Sequence, residues 1–209
     1  MFLYDEYMKK IFYYIIIFIV LAIIGGIYYF YFYHHKTTIV QPQIKYYTYK
    51  NDDLKLSFGY PETFQKIKLT DEDKKDKIIF RAEEINLGAL ISLRYEERVG
   101  ILKLAQKGSI LDVLKQNFND QYPKRYPDFK KEREEKITIN GTEGADFYFT
   151  YLGADQKTRM KQRFVIFTHE YDQKELGEVA FYFSFQSKEQ DFEKVNSDFQ
   201  KIIDSIKFF

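Results

Sequence analysis

The sequence predicts an α+β protein, in which an antiparallel β-sheet packs with helices and follows one N-terminal transmembrane helix. Three observations indicate this class: a long uncharged apolar run near the N-terminus, a series of strand patterns joined by turn residues, and an amphipathic stripe near the C-terminus. The net charge is +1 and cysteine is absent, which excludes disulfides, a thiol nucleophile and cysteine zinc sites. A near-neutral charge also disfavours nucleic acid as a partner.

The apolar run extends from Ile11 to Tyr33 without a charged residue. At about 1.5 Å per residue it reaches roughly 35 Å as a helix, enough for a hydrocarbon core of about 30 Å. Tyrosines lie near both of its ends, as in the aromatic belts of spanning helices. A cleaved secretory signal is the alternative, which the length of the run and the lack of a small-residue cleavage site disfavour.

The orientation of this helix does not follow from its flanking charges. Basic residues lie on both sides of it, at Lys9, Lys10, Lys36, Lys45 and Lys50. A short tail before the helix and a large domain after it suit an N-terminal signal anchor, so we expect a single-pass protein of the cell membrane with an extracytoplasmic domain. The expected divisions are a tail and transmembrane helix at 1–36, a linker at 37–45 and a soluble domain at 46–209.

The soluble part begins with two predicted strand pairs. Its first four strands are short runs of aromatic and β-branched residues, at Tyr46–Lys50, Leu54–Tyr60, Ile78–Ala82 and Ala89–Tyr95. A helix follows from Ser109, because Ser109 and Asp112 form a capping signal. Pro123 and Pro127 bound the end of this helix.

A meander of long strands is predicted next. Asn140-Gly141 is a strong hairpin signal, and the strands around and after it are Glu132–Ile139, Thr142–Leu152, Arg159–His169 and a last one with Val179, Phe181, Phe183 and Phe185 on one face. Ser187 and Gln190 then predict a capping box for a terminal helix. Its apolar stripe packs on the sheet and consists of Phe192, Val195, Phe199, Ile202, Ile203 and Ile206.

Three segments resemble the PsbP-like family, named for an extrinsic subunit of the photosynthetic oxygen-evolving complex. Leu56–Phe64 is similar to the family's opening strand and Tyr-Pro turn, Ile139–Phe149 to its central hairpin, and Phe199–Phe208 to its closing helix and strand. The resemblance covers roughly 46–209 and implies an α/β/α sandwich. Photosynthetic members bind a membrane complex and its inorganic cofactors, whereas many bacterial members carry a membrane or lipid anchor. The resemblance includes no pattern of ligand-binding residues, so we expect no cofactor or metal.

Few residues in the sequence suggest catalysis or metal binding. His34 and His35 follow the membrane helix and are expected to be interfacial side chains, since further metal ligands are not visible nearby. His169 ends a strand beside Glu170 and Asp172; it is expected to be an exposed strand-end histidine, and a general base is the alternative. No nucleophile motif or phosphate-binding loop is present. The acidic cluster at Asp71, Asp73 and Asp76 lacks the EF-hand pattern and is expected to be a solvated loop.

One basic and aromatic patch stands out, at the end of the helix that begins at Ser109. Its candidate contacts for a partner protein or for anionic lipid headgroups are Tyr122, Lys124, Arg125 and Tyr126. The alternative, which the pattern favours, is a loop that ends the helix in front of a strand with outward-facing charges. The leading hypothesis is a non-enzymatic interaction domain that contacts another envelope protein or a membrane complex. The alternatives are an envelope-associated hydrolase that uses His169 and nearby carboxylates, and a carrier of lipid or small ligands.

Overall fold

The computed structural model describes residues 2–34, 44–97, 99, 109–172 and 177–209, with side chains from 13 to 30 in the N-terminal helix. The chain divides into two compact units, 1–43 and 44–209. Most of the expected linker, 37–43, lies outside the described residues, as do His35 and the side chain of His34.

The first unit contains helix α1, Phe2–His34. Within it, Tyr13–Phe30 is long and apolar enough to cross a membrane. A signal sequence near an N-terminus meets the same criterion of length and composition.

The second unit contains two antiparallel sheets. A small sheet has the order β1-β2-β10, with strands at Tyr46–Asn51, Leu56–Pro61 and Lys207–Phe208. The large sheet has the spatial order β3-β4-β5-β9-β8-β7-β6. In chain order, its strands are Gln65–Lys66 (β3), Ile78–Glu84 (β4), Ala89–Glu96 (β5), Lys130–Ile139 (β6), Thr142–Leu152 (β7), Arg159–Glu170 (β8) and Glu178–Lys188 (β9). The helices are α2 at Asp71–Lys75, α3 at Ile110–Arg125 and α4 at Phe192–Asp204.

One core fills the space between the large sheet, the small sheet and α4. Phe183 of β9 meets Phe58 of β2, with ring centroids 5.1 Å apart, and Phe199 of α4 lies 4.6 Å from Phe185. The predicted stripe of α4 is buried along its whole length. The amphipathic pattern therefore identified the face by which this helix packs.

A second core lies on the opposite face of the large sheet, beneath α3. Phe118 of α3 stacks on Phe147 of β7, with centroids 4.0 Å apart. The alternation along β7 explains both cores, since Phe147 and Phe149 face α3 whereas Asp146 and Tyr148 face the side of α4. The layers are thus α3, the large sheet, and α4 with the small sheet. The α+β prediction and the α/β/α sandwich are confirmed.

Local turn and cap signals were right in two places. Asn140 and Gly141 have φ angles of 48° and 82°, the left-handed pair that a tight hairpin between β6 and β7 requires. Ser109 is the N-cap of α3, where its hydroxyl oxygen accepts the backbone N–H of Asp112 at 3.1 Å.

The capping box predicted at Ser187 and Gln190 was wrong. Ser187 lies within β9, where it pairs with Lys161 of β8, and its hydroxyl donates to the carbonyl of Lys188 at 3.1 Å. The sheet ladder holds Ser187 in extended backbone, so it is not available as a cap. A 3₁₀ turn, Glu189–Asp191, follows, and α4 begins only at Phe192.

Candidate functional site

The four predicted contact residues lie together at the C-terminal end of α3, and they divide into two kinds. Tyr122 and Tyr126 are half-buried, with ring centroids 5.7 and 5.6 Å from Phe149 of the second core. Burial raises the pKa of both tyrosines. Lys124 and Arg125 are exposed. The tyrosines therefore form a packed base for the patch, and the two cations form its accessible surface.

The acidic side chain that follows these two cations along the chain is paired with another residue. Asp128, in the next turn, accepts a hydrogen bond from Arg159, which lowers the pKa of Asp128 and occupies its carboxylate. The guanidinium of Arg125 lies 6.0 Å from the ring centroid of Tyr126. Cations in the last turn of a helix also interact favourably with the helix dipole. The arrangement suits an acidic surface.

His169 lines a separate cleft of about 420 Å³ between the end of β8 and the C-terminal strand. Its ring stacks on Phe208 at 3.7 Å with an interplanar angle of 3°, and it meets Tyr171 edge-on at 4.6 Å. Burial lowers the pKa of His169, with an opposing contribution from Asp172. The imidazole is therefore neutral at neutral pH, which a general base requires.

His169 shares its cleft with Glu170 and Asp172, the carboxylates that the hydrolase hypothesis names. Among the described residues, none forms a hydrogen bond with its ring, and the described lining of the cleft includes no serine or threonine. The hydroxyl of Tyr171 donates to the carbonyl of Leu54 instead. Aromatic packing thus accounts for the position of the ring.

The acidic cluster near Asp73 forms a structural cap. Thr70 and Asp73 make a reciprocal capping box at the start of α2, and Arg81 donates to Asp73 at 3.0 Å. Across the described ranges, no group of three or more histidine and acidic side chains is arranged to hold a metal ion.

Sequence reasoning missed a buried ion pair between β7 and β8. Arg163 and Asp146 have side chains only 2% and 4% exposed. Arg163 Nε lies 3.1 and 3.0 Å from the two carboxylate oxygens, and its Nη2 donates to Asp146 Oδ2 and to Gln200 Oε1 of α4, each at 2.7 Å. Desolvation raises the pKa of Asp146, and the hydrogen bonds from Arg163 oppose that change.

This ion pair forms the floor of a cleft of about 510 Å³ between α4 and the strands β6, β7 and β8. Tyr148 lies beside it, with the guanidinium carbons of Arg133 and Arg163 at 3.8 and 5.3 Å from its ring centroid. Because Asp146 and Arg163 each precede a phenylalanine of the opposite face, the sequence pattern gave them the appearance of outward-facing polar residues. Asp146 and Arg163 are buried because α4 packs over them, and only the tertiary structure shows this.

The geometry defines an α/β/α sandwich with a candidate N-terminal membrane span. No protein-family model and no curated protein matches the sequence. The fold is similar to cyanobacterial PsbP (CyanoP) from Synechocystis sp. PCC 6803, with a TM-score of 0.54 and 12% identity over 83% of this chain and 98% of that one. LpqN of Mycobacterium tuberculosis, described as involved in cell envelope biogenesis, gives a TM-score of 0.55 and 8% identity over 79% and 91%. The domain therefore has a PsbP-like fold, as the sequence resemblance predicted.

Proposed function

We propose that this protein is a membrane-anchored interaction domain that acts on the extracytoplasmic side and contacts another envelope protein or a membrane complex. The observation that carries the proposal is the combination of an apolar helix of spanning length with a domain of PsbP-like fold. LpqN shares this fold and is involved in cell envelope biogenesis, which supports the envelope as the place of action.

The contact surface of this proposal is the end of α3. Tyr122 and Tyr126 fix the last turn against the second core, so Lys124 and Arg125 project from a rigid base. Charged side chains on a rigid element steer a partner of opposite charge and set its orientation. The partner is accordingly expected to present an acidic surface.

Charge reversal tests this surface. The double variant Lys124→Glu/Arg125→Glu, made in the full chain, should lose the protein species that the natural chain captures by crosslinking in native membranes, identified by mass spectrometry. The matched control, Lys68→Glu/Lys75→Glu, reverses two other exposed lysines and should capture that species normally. Equal capture by both variants would remove the α3 patch from the proposal. Loss of binding to anionic lipid vesicles in the patch variant, with protein capture intact, would assign the patch to lipid headgroups.

The hydrolase alternative rests on the neutral, half-buried imidazole of His169 in its cleft. Screening the full chain against ester, phosphate and glycoside substrates, with His169→Ala beside it, separates the two functions. An activity that disappears in the His169→Ala protein, while the fold remains intact, would replace the interaction proposal.

A further inference from the structure

The cleft between α4 and β6–β8 lies away from the α3 patch, on the opposite face of the large sheet. Its walls come from secondary-structure elements on both sides: the polar flank of α4, with Asn196 and Gln200, and the sheet face that carries Asp146, Tyr148 and Arg163. Val165 of β8 and Tyr148 of β7 still belong to the apolar core. Arg163 and Asp146, on the same strands, make the part of this sheet face beneath the flank of α4 polar. Such a cleft differs from the apolar cavity that a lipid tail requires.

Two polar groups in this cleft lack a hydrogen-bond partner in the described protein, and one of them, Asn196 Oδ1, is buried. Arg163 uses Nε and Nη2 on Asp146 and Gln200, whereas Nη1 has no acceptor among the described residues. Asn196 Oδ1, on α4, is buried and also lacks a hydrogen-bond donor within the described chain. Buried polar atoms without a partner are costly and uncommon in folded proteins. One donor and one acceptor thus face the same cleft.

The charges that line the cleft balance. Cationic side chains come from Arg133, Lys136 and Arg163, and anionic ones from Glu135, Asp146 and Glu193. The deepest two neutralise each other in the Arg163–Asp146 pair. A ligand with a net charge would gain little here, because attraction by one set of residues is offset by repulsion from the other.

We propose that this cleft binds a neutral, hydroxyl-rich ligand of the saccharide or polyol class. Neighbouring hydroxyls on one ring can accept from Arg163 Nη1 and donate to Asn196 Oδ1, which satisfies both groups at once. A hydroxyl also donates and accepts, so it matches the Asn196 amide in either orientation. The cleft volume of about 510 Å³ accommodates one or two sugar rings. The site is independent of the partner surface on α3.

The test titrates the isotope-labelled full chain, in a zwitterionic detergent that carries no sugar headgroup, with glucose, maltose and N-acetylglucosamine. Glucuronate is the charged comparator, because it keeps the glucose ring and adds a carboxylate. Backbone amide chemical shifts in β7, β8 and α4 should move with a millimolar Kd for at least one neutral sugar. The variant Asn196→Leu removes one hydrogen-bonding group and should weaken that binding about tenfold.

Asn196→Leu also removes a buried amide oxygen without a partner from a helix, so the variant should fold at least as well as the natural chain. The matched control is Asn117→Leu, on the exposed face of α3, which should bind sugar normally. The proposal is overturned if none of the three neutral sugars shifts these amides. Binding of glucuronate alone, or binding unchanged in Asn196→Leu, would overturn it equally.

Discussion

At the scale of single residues, the buried pair Arg163–Asp146 is the most unusual feature of the domain. Taking two charges out of water costs several kcal/mol per ion, and their attraction repays this only when the geometry is good. The geometry is good here, because Arg163 makes a bidentate contact with Asp146 and a further hydrogen bond to Gln200. The pair therefore orients the cleft floor and joins the sheet to α4, and its net contribution to stability is small.

Removing one residue of the Arg163–Asp146 pair should show how desolvation and attraction offset each other. Asp146→Ala leaves the guanidinium of Arg163 buried and uncompensated, so we expect a loss of about 3–5 kcal/mol in the free energy of unfolding. The double variant Asp146→Leu/Arg163→Met replaces the pair by apolar side chains and should be as stable as the natural chain or more stable. Urea unfolding followed by near-ultraviolet circular dichroism, which reports on packed tyrosines, measures both. Equal destabilisation by both variants would contradict the desolvation argument.

His169 gives a pH-dependent prediction. Burial lowers the pKa of His169 below its ordinary 6.5, so the unfolded chain takes up a proton in a pH range where the folded chain does not. Stability should therefore fall as the pH drops through 6.5 towards the folded-state pKa, and this contribution should be constant above 6.5. His169→Phe keeps a ring against Phe208 and cannot titrate. The decrease in Tm between about pH 8 and about pH 5 should be larger for the natural chain than for His169→Phe.

All other ionisable side chains are the same in both proteins, so the difference between the two decreases isolates the imidazole. An identical decrease in Tm would show that the folded imidazole titrates like a free one.

At the scale of elements, the success of sequence reasoning depended on whether the determining interaction was local. The hairpin at Asn140-Gly141 and the cap at Ser109 involve neighbours along the chain, and both were predicted. Ser187 met the local pattern for a cap, but pairing with β8 holds it in a strand. The Arg163–Asp146 pair was invisible for the same reason, since its burial depends on α4, which follows far along the sequence. Long-range pairing thus decided each case that the pattern misjudged.

The docking of α3 gives the element-scale prediction. Phe118 is 2% exposed and contacts Phe147, Phe149 and Phe164 of the sheet. Phe118→Ala should cost about 3–5 kcal/mol, because the surrounding rings cannot fill the space it leaves. Asn117→Ala, at an adjacent exposed position, should change stability by less than about 0.5 kcal/mol. The same urea experiment compares them, and a small effect of Phe118→Ala would mean that α3 contributes little to the fold.

At the scale of the whole domain, the large sheet separates two candidate surfaces. The cation pair at the end of α3 belongs to the layer on one face, and the polar cleft beside α4 belongs to the layer on the other. A protein partner at α3 would therefore not obstruct a small ligand beside α4. We therefore expect that both can be bound at the same time.

Fractionation tests the anchoring of the chain itself. Tyr13–Phe30 contains no charged residue and is long and apolar enough to cross a membrane, so we expect a bilayer to hold it. The full chain should stay with membranes after alkaline carbonate extraction, whereas a fragment of 44–209 should be recovered in the soluble fraction. Protease added outside spheroplasts should digest the domain if it faces outward. A mature protein whose N-terminus lies beyond residue 33 would identify the helix as a cleaved signal, and protection of the domain in intact spheroplasts would reverse the proposed orientation.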